Sequence, residues 1–75
     1  MKLETGTTDL LCELRDDGVL IATLNRPETR NAFSAAMGRA LGSIYEMADT
    51  NDSVRVVVIT GTPPVFCAGA DFSHG

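Results

Sequence analysis

The sequence predicts an α/β fold made of a β-hairpin, a helix, and a strand parallel to the second hairpin strand. Three observations predict it. Leu10, Cys12 and Leu14 alternate with Leu11 and Glu13 ahead of an Asp16-Asp17-Gly18 turn. Met37, Leu41, Ile44 and Ala48 recur at spacings of four, three and four. Val56, Val57, Val58 and Ile59 are consecutive, a pattern suited to a parallel strand buried on both faces.

In chain order, residues 1–7 read as a loose terminus and residues 8–15 as the first strand. Asp17-Gly18 supplies the positive φ of a hairpin turn. Residues 19–24 form the second strand, apolar apart from Thr23, and Pro27 ends it. The helix is expected over residues 34–49 with Ser34 as its N-cap, although Met37 stands where a capping box would place Glu or Gln. Gly38 and Gly42 weaken that helix by roughly 1 kcal/mol each relative to Ala, so both are expected to serve close backbone packing. Residues 49–53 form an exit loop and residues 54–60 the third strand. One helix covers only one face of that strand, which predicts that the unit is incomplete as a domain.

Composition narrows the function classes. Seventy-five residues make at most one small domain, and a chain of this size buries only about 60% of the surface exposed by its unfolded form. The net charge is −4 with no cluster of Lys or Arg, which disfavours nucleic acid as a partner. No stretch has the length of a membrane span or the apolar run of a signal peptide, so the expected setting is cytoplasmic. The two cysteines, Cys12 and Cys67, read as reduced, small, buried residues, with a single disulfide as the alternative. No group of residues has metal-ligand spacing.

Parallel strands place the loops that follow them on one rim of the sheet, where ligands of open α/β sheets bind. The loops Asn25–Phe33 and Gly61–Phe72 are thereby expected to meet. In the second loop, Ala68-Gly69-Ala70 leaves the backbone bare, so peptide N–H groups can approach a ligand and hold an oxygen that gains negative charge. Arg26 and Arg30 have the chemistry to meet phosphate oxygens; the plainer alternative is two solvated loop charges, paired with Glu28. Asp71 suits a cap for a short helix starting near Phe72. Phe33, Phe66 and Phe72 read as packing residues, one of them a candidate wall for an acyl pocket. His74 reads as a tail residue rather than a base. Cys67 has no visible basic partner to make it a nucleophile.

Five segments in this order resemble one family. They are Ile21-Ala22-Thr23-Leu24-Asn25-Arg26-Pro27-Glu28, Asn31-Ala32-Phe33-Ser34, Met37 within a helix, Val54-Arg55-Val56-Val57-Val58-Ile59-Thr60-Gly61, and Phe66-Cys67-Ala68-Gly69-Ala70-Asp71-Phe72. Together they are similar to the amino-terminal part of the crotonase superfamily, the enoyl-CoA hydratase/isomerase family.

The resemblance implies that residues 1–75 are the start of a ββα spiral whose remainder lies outside the chain. It implies an acyl-CoA thioester as ligand, coenzyme A entering as part of the substrate, no tightly bound cofactor, and a homotrimer or dimer of trimers. By the same resemblance Ala70 N–H is one of two oxyanion donors, and coenzyme A runs past Ala32, Ala68, Gly69, Asp71 and Phe72, with Arg26 and Arg30 in the adjoining loop. Some members carry basic residues where this chain has Glu28 and Ser73, and Arg30 is the expected substitute. The second donor and the acid–base carboxyls of the family fall after residue 75. Hydration of a 2-enoyl-CoA is the expected reaction of the parent protein, and the isolated chain is expected to be inactive. The alternatives are a non-catalytic acyl-CoA-binding or assembly module, and a short decayed reading frame with no stable function.

Overall fold

The computed structural model describes residues 1–63 and 66. Its elements in chain order are β1 (Lys2–Leu3), β2 (Leu10–Leu14), β3 (Val19–Leu24), a 3-10 turn (Pro27–Thr29), α1 (Ala35–Thr50) and β4 (Val56–Gly61). The sheet order is β1-β2-β3-β4. The first two pairings are antiparallel and β3–β4 is parallel. The chain is thus the expected α/β unit, with one strand more than the sequence pattern predicted.

That extra strand corrects the reading of residues 1–7 as a loose terminus. Lys2 pairs with Glu13 and Leu3 with Cys12. Two residues are too few to show a period of two, so only the neighbouring edge of β2 reveals the strand. β2 is also shorter than expected at its start. The Thr5 hydroxyl lies 2.6 Å from the Leu10 carbonyl, and Asp9 N–H donates to Thr7 Oγ1 at 3.1 Å. These side chains fold residues 5–9 into turns before the ladder begins.

Gly18 closes the hairpin at φ 88°, as its sequence position required. It has a second task. Its carbonyl accepts from Arg55 N–H at 2.8 Å, and a Cβ there would lie 2.7 Å from Arg55 Cγ. The hairpin turn therefore also seats the start of β4. Val54 belongs to the preceding turn, its N–H donating to the Asn51 carbonyl at 3.0 Å, which is why β4 begins at Val56, two residues later than the expected strand over 54–60.

Ser34 caps α1: its Oγ accepts from Met37 N–H at 3.0 Å. The buried stripe of the helix is Met37, Ala40 and Ile44, with Leu41, Met47 and Ala48 partly covered. It packs on the sheet face formed by Leu10, Cys12, Leu20, Ala22 and Leu24, with Val57 and Ile59 beside them. Gly38 lies close to a side chain rather than to another backbone, since a Cβ there would lie 3.0 Å from the Phe33 ring. Gly42 does not: nothing lies within 4 Å of a Cβ at that position, so the packing role predicted for it is corrected. On the other face of the sheet Val56 and Val58 are 53% and 41% exposed. The helix covers one side of β4, as a single helix must.

Candidate functional site

The rim where β3 and β4 end is built as one piece. Leu24 and Gly61 are paired in register, and Thr62 N–H donates to the Leu24 carbonyl at 2.9 Å. The loops after the two strands thus leave from adjacent points, as the parallel topology predicted.

The first loop is a closed ring. Pro27–Thr29 form one 3-10 turn, capped by Arg30 N–H donating to the Pro27 carbonyl. Arg30 and Asn31 then take φ values of 56° and 59°, two successive left-handed residues without a glycine. Asn tolerates that region because its short amide can bond locally. Asn31 N–H donates to the Arg26 carbonyl at 2.7 Å, and Asn31 Oδ1 accepts from Arg26 N–H at 2.7 Å. The same carboxamide reaches the second loop. Asn31 Nδ2 donates to the Thr62 carbonyl at 2.8 Å, and the Thr62 hydroxyl lies 3.1 Å from Asn31 Oδ1. Asn31 is completely buried.

Arg26 is no solvated loop charge. It is 8% exposed, its Nη1 donates to the Ala32 carbonyl at 2.9 Å, and its Nε lies 3.8 Å from Asp9 Oδ2. Asp9 also accepts from the Ser34 hydroxyl at 2.8 Å. An acid from the turn just before β2 therefore sits at the N-terminus of α1, where the helix dipole favours negative charge. It orients the Ser34 hydroxyl, whose oxygen accepts from Met37 N–H. Arg26 thus braces the loop against the helix start and the hairpin. Arg30 is exposed on the same ring. Ala32 is half-buried with both peptide groups engaged, its N–H donating to the Thr29 carbonyl at 3.1 Å. Phe33 is partly exposed against Gly38, and Phe66 is 56% exposed rather than packed in the core. Ala68, Gly69, Ala70, Asp71 and Phe72 lie outside the described residues, as do Cys67 and His74.

Sequence reasoning missed Asn31, Thr62 and Asp9 as builders of this rim. Asn31 and Thr62 stood within segments already singled out, and an Asn three residues before a helix N-cap was the available signal for a left-handed turn. Asp9 gave none, because its partners are 17 and 25 residues away. Among the described residues no group of three or more His, Cys, Asp or Glu side chains is arranged to hold a metal ion. No helix among them is long and apolar enough to cross a membrane. An open groove of about 690 Å³ lies along β1, β2 and the 4–8 segment, lined by Thr5, Leu11 and Thr23 among others.

The family profile described as Enoyl-CoA hydratase/isomerase matches residues 15–75. The chain belongs to the enoyl-CoA hydratase/isomerase family. It is 46% identical over 60 residues to the 2,3-dehydroadipyl-CoA hydratase of Escherichia coli, covering 80% of this chain and 24% of that enzyme. It is 40% identical over 69 residues to enoyl-CoA hydratase EchA19 of Mycobacterium tuberculosis, covering 92% of this chain and 25% of the relative. The crystal structure of an enoyl-CoA hydratase from Mycobacterium tuberculosis superposes with a TM-score of 0.80 at 43% identity, covering 87% of this chain and 28% of that one. The chain therefore spans about a quarter of the length of the enoyl-CoA hydratase/isomerase relatives it matches. The fold is that of the corresponding part of these family members.

Proposed function

We propose that this chain forms the amino-terminal part of an enzyme that binds an acyl-CoA thioester and stabilises the negative charge developing on its carbonyl oxygen, with hydration of a 2-enoyl-CoA as the reaction. The observation that carries the reading is the joined rim: the Asn25–Phe33 loop and the start of the loop after β4 are held together by Asn31 and Thr62. Relatives described as enoyl-CoA hydratases support the reaction class.

In this reading Ala70 N–H is one oxyanion donor. Ala32, Ala68, Gly69, Asp71 and Phe72 follow the coenzyme A moiety, and exposed Arg30 meets its phosphates. Arg26 acts behind them by fixing the ring on which Arg30 stands. A peptide donor suits this task because it is fixed before the charge appears and requires no reorganisation when it does. The second donor and the acid–base carboxyls come from polypeptide following residue 75. The isolated chain then carries one donor without its partners and does not turn over substrate. The whole protein works as a homotrimer or dimer of trimers in the cytoplasm.

The test is hydration of crotonyl-CoA by the whole protein, followed by loss of enoyl-thioester absorbance, with Ala70→Pro as the variant that removes the N–H. The reading expects a kcat loss on the order of 10²–10³-fold in that variant with its fold retained. Unchanged turnover in Ala70→Pro contradicts the assigned donor. Tight acyl-CoA binding with no turnover in the unaltered protein would replace the enzyme with a binding module.

A further inference from the structure

We infer that Asn31 and Thr62 are positioning residues that set how the loop after β4 starts, and thereby aim the backbone donors that follow Thr62. The inference rests on the acyl-CoA reading above and names what orients its site. The sheet ladder between β3 and β4 ends with Thr62 N–H on the Leu24 carbonyl at 2.9 Å. Beyond it the direction of the chain is held by side chains. The Asn31 carboxamide grips Thr62 from both sides of the peptide unit, donating to its carbonyl at 2.8 Å and lying 3.1 Å from its hydroxyl. The hydroxyl also lies 3.3 Å from the Leu24 carbonyl. One buried amide thus joins residues 31 positions apart and is itself fixed by Arg26 N–H at 2.7 Å.

Two further features argue for orientation rather than mere burial. Asn31 reaches this position through the left-handed pair at 30 and 31, a conformation that Asn tolerates but that is costly for Arg30 and persists where its surroundings demand it. Gly61, the last residue of β4, lies under the returning chain, and a Cβ there would meet the Phe66 carbonyl oxygen and lie 2.9 Å from Phe66 Cα and 3.0 Å from Asn31 Nδ2. Thr62 is the first residue after β4, so the clasp acts at the point where the chain leaves the sheet.

The experiment uses the whole protein and three variants. Thr62→Val removes only the hydroxyl link, Thr62→Ser keeps it, and Asn31→Asp keeps the acceptor while removing the donor to the Thr62 carbonyl. Thr62→Val and Asn31→Asp are expected to lower kcat about 10- to 100-fold, the scale of a displacement near 1 Å at the reacting centre. KM should change less than about threefold, as for an interaction expressed only in the transition state. Thr62→Ser should restore kcat. Amide hydrogen exchange supplies a readout independent of turnover: exchange at Ala68 to Ala70 should speed up in Thr62→Val while β3 amides keep their protection. If both variants lose stability but keep kcat per folded molecule, the inference is overturned. It is equally overturned if exchange rises uniformly across the chain. If the unaltered protein hydrates nothing, the acyl-CoA reading fails, and the exchange pattern alone decides whether the pair positions the loop.

Discussion

At the scale of single residues, the rim depends on polar groups that are buried because each is satisfied. Arg26 is the clearest case, with its guanidinium between the Ala32 carbonyl and Asp9. Arg26→Ala is expected to reduce stability by about 1.5–3 kcal/mol, the range for hydrogen bonds to charged groups, measured by urea unfolding. Arg30 should behave oppositely. It is exposed at φ 56°, so Arg30→Gly relieves a left-handed residue and is expected to gain about 1 kcal/mol while weakening binding of coenzyme A. Titration calorimetry with the coenzyme reads the second half of that prediction. Cys12 offers a pH test. Burial raises its thiol above the ordinary value of 9.0, so the folded state keeps its proton where the unfolded state has lost it. The contribution of the neutral thiol is complete below pH 9.0 and declines as pH rises through the higher folded value. Urea midpoints measured below and well above 9.0 should fall more steeply for the unaltered chain than for Cys12→Ala.

At the scale of elements, the helix and the hairpin were legible because their signals are local. The Asp17-Gly18 turn, the β3 boundaries and the Ser34 cap follow from residues within a few positions of one another. What escaped were features set by distant partners. β1 exists through pairing with β2, Asp9 reaches the helix start from 25 residues upstream, and Ala40 and Met47 join the apolar stripe by packing on the core. The two helix glycines divide on the same ground. Gly42→Ala is expected to stabilise by about 1 kcal/mol, since the methyl enters open space. Gly38→Ala should gain less or lose, because the Phe33 ring must move. Thermal melts of the two variants check the order.

At the scale of the whole molecule, the sheet has one covered face and one face on which Val56, Val58 and Leu11 are exposed. β4 lies at the edge of that sheet. An apolar edge strand is a template for pairing with another chain, so the isolated 75 residues are expected to self-associate. Val58→Lys should lower the apparent mass in sedimentation without loss of circular dichroism. The parallel rim was predictable from the order of the elements, and the joined loops follow from it. The Asn31–Thr62 clasp was not, because a carboxamide spanning 31 positions leaves no periodic trace. The most direct test of the central claim is an amide-resolved NMR titration with a non-hydrolysable CoA thioester. The account predicts that the Ala70 amide shifts downfield and slows its solvent exchange, with changes at Arg30 and Ala32 in the same titration. Changes confined to the groove along β2, or an Ala70 amide that does not respond while the thioester binds, would contradict it.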